Sequence, residues 1–333
     1  MQKKAVVLLS GGLDSILALK LMIDEGIEVF SLNFSSIFCR RNRRGCDEAS
    51  SAARKLGVGL KIMEKGHEYL EIVKNPSHGY GKNMNPCIDC RIFMFKKAKE
   101  YMKEIGASFL VTGEVLGQRP MSQRREAINL IEKEADVKGL VLRPLSAKFF
   151  PETEMEKSGL VDSKKLPAIS GRSRKEQIKL AEEKNIKDYP CPAGGCLLTD
   201  PEFSKRLKES FKHGENSLKE IMLLKIGRHF RLNNGVKIIV GRNEKDNEQL
   251  ENMHGDGEYL LQVEIIPGPI VLLKSDCDEM TLKTAAGICA SYSDFDPPQV
   301  NEQASVLVRK KDGKSDIIKV NRVDMLTINE LMI

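Results

Sequence analysis

One hexapeptide constrains this chain more than any other stretch. Residues 4–9 (Lys-Ala-Val-Val-Leu-Leu) read as a buried strand and residues 15–25 as a helix, with Ser10, Gly11, Gly12, Leu13, Asp14 and Ser15 at the join. A strand that delivers two glycines to a helix N-terminus makes a phosphate cradle. Glycine lets the backbone approach a ligand closely and adopt conformations closed to other residues. The Ser10 and Ser15 hydroxyls and the first helical amides donate to anionic oxygens. Asp14 is placed to hold Mg²⁺ against a departing pyrophosphate. An ordinary strand-to-helix turn also favours glycine and serine, but not the whole hexapeptide. Neither Gly-x4-Gly-Lys-Ser/Thr nor Gly-x-Gly-x-x-Gly occurs, so the other phosphate-loop classes have no support.

The rest of the first half alternates strand-like runs (28–33, 60–63, 109–112, 140–143) with helix-like ones (47–56, 91–105), the pattern of a parallel sheet under helices. Residues 148–167 are irregular, and 173–184 read as a charged helix. From Gly235 the pattern becomes α+β, with strands at 236–240, 259–263 and 270–273 and a helix at 280–291. A hairpin at 305–320 turns on Asp312-Gly313. A length of 333 residues suits two domains. The fold class is therefore α/β: a parallel-sheet domain over 1–212 and a smaller α+β domain over 225–330.

No apolar run approaches 18 residues, and the basic start is followed by too few apolar residues for a signal segment, which points to a cytoplasmic protein with no membrane partner. Lys and Arg total 53 against 47 Asp and Glu, a net +6 that permits nucleic-acid binding without establishing it. Arg40, Arg41, Arg43 and Arg44, Arg124 and Arg125, and Arg172, Arg174 and Lys175 fall in loops near the hexapeptide's end of the domain. Such clusters grip phosphates with salt-sensitive affinity.

Four of the eight cysteines come in close pairs, Cys87 with Cys90 and Cys191 with Cys196. Cys87 and Cys90 stand just before the expected helix, where the N-terminal dipole favours thiolate. Two pairs could form a zinc site, bind an iron–sulfur cluster or carry persulfide sulfur without metal. Cys289 reads as a core residue among alanines, Cys277 as incidental, and Cys39 and Cys46 flank the first arginine cluster.

The hexapeptide resembles the PP-loop of the ATP pyrophosphatase superfamily. That resemblance implies an adenine nucleotide α-hydrolase-like fold that cleaves ATP between its α- and β-phosphates and adenylates a substrate oxygen. ATP would sit on Ser10, Gly11, Gly12, Asp14 and Ser15. Leu32, Asn33 and Phe34 would frame the adenine, and Thr112-Gly113-Glu114 would close the site. Asn85-Pro86-Cys87-Ile88-Asp89-Cys90-Arg91 resembles the Asn-Pro-Asp-x-x-Cys-Asn segment of the tRNA 2-thiouridylases, with Cys90 and Cys196 at that family's catalytic positions and Asp14 serving the adenylation. Cys87 replaces the family's aspartate. The trio Cys87, Cys90 and Cys196 thereby resembles the ligand set of tRNA thiolases that hold a [4Fe-4S] cluster on three cysteines, with Cys191 as a further candidate. This likeness covers about residues 4–200.

In the second half, Gly235 to Asn243 with Asp246 to Leu250, Ile266-Pro267-Gly268-Pro269, and Ala285-Ala286 through Tyr292-Ser293 resemble the RNA-binding domain of NFACT-type proteins. Together the resemblances imply an ATP-dependent RNA sulfurtransferase, with tRNA the first acceptor to consider. It would use ATP, Mg²⁺ and a [4Fe-4S] cluster (Zn²⁺ being the alternative), with sulfide or a cysteine desulfurase as sulfur donor. A homodimer is one option for its oligomeric state. The competing readings are a PP-loop ligase or amidotransferase with structural zinc, and an RNA- or ribosome-binding factor with an inactive loop.

Overall fold

Strands β1 (Lys4–Leu8), β2 (Glu28–Ser35), β3 (Leu60–Glu64), β4 (Phe109–Thr112) and β5 (Val141–Leu142) form one sheet in the order β3-β2-β1-β4-β5, every pairing parallel. They belong to a computed structural model that describes residues 3–39, 44–189, 195–274, 277–295 and 303–333, with only the backbone described at 44–46. Successive strand side chains face opposite ways. Ala5 and Val7 therefore pack with α1 (Leu13–Asp24), while Val6 and Leu8 join the opposite layer. That burial on both faces is why β1 reads as an unbroken apolar run.

The remaining helices of this unit are α2 (Arg44–Lys55), α3 (Gly66–Lys74), α4 (Cys87–Glu104), α5 (Arg125–Glu134), α6 (Glu154–Lys157) and α7 (Lys175–Glu183). Two differ from expectation in ways that matter. Helix α4 starts four residues ahead of 91, so Cys87 and Cys90 lie inside its first turn, not before it. Pro86 caps that turn, where a missing N–H costs nothing, and Cys90 N donates to Pro86 O at 2.8 Å. Helix α3 had no expected counterpart, and it brings Tyr69 into the core.

The strand order reverses between β1 and β4. In open α/β sheets the ligand crevice lies at such a reversal, beyond the carboxyl ends of the strands. The hexapeptide leaves β1 there and Gly113 leaves β4 there.

A second unit, Pro201–Ile333, begins with α8 (Pro201–Lys212) and α9 (Leu218–Leu223). The division at Asp200–Pro201 thus precedes the 210–225 segment. Helix α8 belongs to the second unit because Glu209 clamps Arg231 at 2.6 and 2.8 Å. The unit continues through β6 (Arg228–Arg231), β7 (Lys237–Val240), α10 (Glu244–Met253), β8 (Tyr259–Val263), β9 (Val271–Leu273), α11 (Glu279–Ser291), β10 (Ala304–Lys310), β11 (Ser315–Val320) and α12 (Met325–Glu330). Its six strands form an antiparallel sheet, β11-β10-β8-β9-β7-β6, against which α11 buries Ala285, Ala286, Ile288 and Cys289. Asp312-Gly313 makes the expected hairpin turn, Gly313 taking φ +85.

The Gly241-Arg242-Asn243 stretch is a built turn. Asn243 caps α10 by accepting from Asp246 N at 3.0 Å, and Arg242 pairs with Asp246 at 2.7 Å. Asn247 accepts from Ile270 N at 3.0 Å, tying the turn to β9's approach.

Acid should loosen this unit in two stages. Burial raises the Glu215 carboxyl, but Arg231 and Lys237, each at 2.6 Å, outweigh it and hold its pKa at about 2 against an ordinary 4.5. A depressed carboxyl contributes stability above pH 4.5, and that contribution is lost as pH falls through about 2. Its size is on the order of 3 kcal/mol. His229, fully buried and held well below 6.5 by burial and by Lys237, refuses the proton that the unfolded chain accepts, so stability already declines below pH 6.5. Urea midpoints measured from pH 7 to 3 should fall in these two steps. Glu215→Gln should flatten the lower one; an unchanged acid limb would refute this account.

Candidate active site

The hexapeptide forms a cradle whose parts hold one another. Ser15 Oγ donates to Gly12 O at 2.8 Å and stands 3.1 Å from Ser10 Oγ, and Ser10 N donates to Ser15 Oγ at 3.2 Å. Asn33 Nδ2 reaches from β2 to Leu9 O at 2.7 Å and fixes the loop's entry. Gly11 takes φ +78, and a Cβ there would lie 2.7 Å from Ala49 N. At Gly113 a Cβ would lie 2.4 Å from Asp14 C, so only glycine lets the end of β4 close against the start of α1.

Beyond the cradle opens a cavity of about 380 Å³. Ser10, Gly12, Asp14, Ser15, Leu32, Asn33, Phe34, Thr112, Gly113 and Glu114 line it, as do Cys39, Cys87, Cys90 and Cys196. The fold therefore gathers the nucleotide residues and the candidate thiols around one space. Cys191 lies outside the described residues.

Asp14 is held but not saturated. Gln118 Nε2 donates to Asp14 Oδ2 at 2.7 Å, Gln177 Nε2 orients Gln118 at 3.0 Å, and Arg174 approaches Oδ2 at 3.9 Å. Asp14 Oδ1 is buried without a hydrogen-bond partner. Such an oxygen costs free energy unless a donor or a cation arrives. Arg174, counted above among surface charges, thus belongs to the cavity wall. Arg125 instead donates to Phe149 O at 2.8 Å and stacks on the Phe150 ring, while Arg40, Arg41 and Arg43 and the Arg44 side chain lie outside the described residues.

The thiols are brought together by two separate elements. Cys87 and Cys90 ride on α4. Cys196 is delivered by a segment pinned on two sides: Leu197 N donates to Phe38 O at 2.8 Å and Met84 N to Leu198 O at 3.0 Å. Asn83 Nδ2 adds a bond to Thr199 O at 2.8 Å. Burial pushes the Cys90 thiol up, yet Lys65 and Tyr69 more than reverse this, and its pKa lies below the ordinary 9.0. Lys65 Nζ stands 3.0 Å from Cys90 Sγ and 4.4 Å from the Tyr69 ring centroid. Burial raises Cys87, and it lifts Cys196 to about 12. Of the three thiols, Cys90 alone is shifted toward the thiolate.

Lys65, Tyr69, Gln118 and Arg119 were not singled out in the sequence. They sit on a helix and a loop with no motif, and only the fold carries them to the cavity. Their one sequence signal was position, shortly after the strands β3 and β4. Asp89, between the two cysteines, faces away from them. It accepts from His78 N at 3.1 Å and meets His78 Nδ1 at 3.0 Å, which ties the preceding loop to α4.

Residues 1–148 match the family model of the thiamine biosynthesis protein ThiI, and residues 227–332 match that of the NFACT protein RNA binding domain. The first match covers most of the parallel-sheet unit and the second most of the antiparallel-sheet unit. The ThiI-type match includes the hexapeptide, Cys87, Cys90 and Gly113, and ends before Cys196. A probable tRNA sulfurtransferase of Methanosarcina acetivorans is 33% identical over 123 residues, 35% of this chain and 29% of that protein. The tRNA-specific 2-thiouridylase MnmA of Pseudomonas fluorescens is 24% identical over 245 residues, 69% of this chain and 62% of that one. This chain thus spans under a third of the sulfurtransferase and about three fifths of the thiouridylase.

Among solved structures, a 4-thiouridine synthetase–RNA complex with bound ATP aligns at TM-score 0.37 and 22% identity over 67% of this chain and 52% of that one. The U34-tRNA thiolase NcsA from Methanococcus maripaludis, with its [4Fe-4S] cluster, aligns at 0.35 and 17% over 67% and 71%. Among the described residues no helix is long and apolar enough to cross a membrane.

Proposed function

We propose that this chain is an ATP-dependent RNA sulfurtransferase, with tRNA as its acceptor class. It adenylates a base carbonyl oxygen with release of pyrophosphate, then replaces that oxygen with sulfur and releases AMP. The observation that carries this reading is the single cavity shared by the phosphate cradle and the three thiols.

A carbonyl oxygen is a poor leaving group, and adenylation converts it into one. The cradle amides and the Ser10 and Ser15 hydroxyls hold the phosphates, while Arg119 and Arg174 on the cavity wall offset the charge that develops. Asp14 Oδ1, buried and unpartnered, is the oxygen that would hold Mg²⁺. Asn33 and Phe34 would frame the adenine, and the target base must leave its stack to enter. Lys65 and Tyr69 shift Cys90 toward the thiolate, the form that binds metal or carries sulfur. Hydrosulfide delivered beside these thiols would attack the adenylated carbon: the C–S bond forms as the C–O bond breaks, AMP departs with the electron pair, and the sulfur's proton passes to solvent.

The donor set suits a cluster. Cys87, Cys90 and Cys196 line one cavity, and cysteine thiolates are the donors such a cluster takes. Bound to Cys87, Cys90 and Cys196, a [4Fe-4S] cluster would supply an open iron for sulfide. The NFACT-type domain would hold the RNA, with sulfide or a cysteine desulfurase as sulfur source.

The test is thionucleoside analysis of RNA from a strain lacking the gene, with iron and sulfide assays of anaerobically purified protein. A normal thionucleoside profile would overturn the reading. Asp14→Asn should retain the fold and lower AMP formation on the order of 10²-fold or more; turnover within threefold of wild type would remove Asp14 from the chemistry.

A further inference from the structure

Cys39 has no part in the chemistry above, yet it faces Cys196. We propose that Cys39 and Cys196 are a reversible disulfide pair that shuts the sulfur side of the cavity under oxidation. The inference goes beyond the sulfur-transfer reading and does not depend on it.

Backbone pairing carries the case. Cys39 and Cys196 form an isolated antiparallel bridge. The bond from Leu197 N to Phe38 O, at 2.8 Å, joins the residues flanking that pair. This pattern marks Cys39 and Cys196 as a non-hydrogen-bonded pair. In such pairs the Cα atoms approach to about 4.5 Å and the side chains share a face. Disulfides span Cα separations of about 4.4–6.8 Å, so the bond needs side-chain rotation only. Both residues line the cavity. Cys39 is exposed and Cys196 half-buried, so an oxidant in solution meets Cys39 first.

The chemistry balances with a small disulfide such as oxidised glutathione as oxidant. The Cys39 thiolate attacks it, forms a mixed disulfide and releases one glutathione thiolate. Cys196, losing its proton, attacks the Cys39 sulfur and expels the second glutathione. Two protein thiols lose two electrons and two protons, and one disulfide becomes two thiols. A dithiol reverses both steps. In the closed state Cys196 can neither ligate iron nor accept sulfur.

The experiment treats the full-length, anaerobically purified protein with oxidised glutathione, as isolated and after iron chelation, and maps tryptic peptides without reduction. Cys39 is the only cysteine in peptide 21–40, whereas peptide 188–205 carries Cys191 and Cys196. The expected product joins these two peptides in at least one arm. It should vanish in Cys39→Ser and Cys196→Ser, persist in Cys191→Ser and disappear with dithiothreitol. The proposal is overturned if, in both arms, Cys39 carries only glutathione, stays free, or Cys196 links to Cys87 or Cys90 instead. The readout is a covalent bond, so its failure would leave the ATP and thionucleoside tests untouched.

Discussion

Replacing Cys90 with alanine is expected to abolish sulfur transfer while leaving ATP binding intact. Cys90 is the thiol whose pKa Lys65 and Tyr69 bring below the ordinary 9.0, with Lys65 Nζ 3.0 Å from its sulfur. Burial raises Cys87 and Cys196, and neither shares the stabilisation that Lys65 and Tyr69 give Cys90. Losing an activated nucleophile costs on the order of 10³-fold or more. The cradle contacts run among Ser10, Gly12, Ser15 and Asn33 and do not involve α4. Nucleotide affinity should therefore stay within a few-fold, and the thionucleoside product should vanish. Lys65→Met should weaken transfer less than Cys90→Ala does, because Tyr69 remains. Thionucleoside yield within tenfold of wild type in Cys90→Ala would remove this residue from the mechanism.

The second large effect concerns stability. Arg143 and Glu114 are almost wholly buried and pair at 3.1 Å. Arg143 also bonds Glu132 and stacks on the Phe150 ring at 5.1 Å, while Arg91 reaches Glu114 at 3.3 Å. Removing one partner from a buried ion pair leaves an uncompensated charge, at a cost of about 3–5 kcal/mol. Arg143→Met should therefore lower the unfolding free energy of the first unit by that amount in urea titration. Glu114→Gln added to it should recover part of the loss, since Arg91 is partly solvated and needs its partner less. Lys99 and Asp136 make a shorter pair, at 2.6 Å, but Asp136 is 93% exposed. Breaking that pair should cost less than about 1 kcal/mol. Equal losses at the two sites would refute the ranking by burial.

Legibility in the sequence followed the range of the interactions. β1 and α1 were visible because strand burial and the glycine turn into the helix are written in adjacent residues. The same holds for the Asp312-Gly313 hairpin, where two residues decide the turn. Helices α3 and α5 were not anticipated. Their buried positions (Tyr69, Leu70 and Val73; Ala127, Ile128 and Ile131) keep helical spacing but span little more than one turn, too short a run to stand out among charged residues. The start of α4 lies four residues before 91, with Pro86 at the N-cap, a place where proline's missing N–H costs nothing.

The site divided along the same line. By itself the sequence determined the phosphate cradle, since Ser10 to Ser15 are contiguous and their hydrogen bonds are local. It also marked Cys87, Cys90 and Cys196 as candidates. Only the tertiary structure placed those thiols beside the cradle, lowered the pKa of Cys90 and set Cys39 opposite Cys196. Each of these depends on Lys65, Tyr69, Phe38 or Met84 meeting residues far away in the chain. The free energy of a thiolate depends on the charges and dipoles within a few ångströms of it, and those neighbours are chosen by the fold.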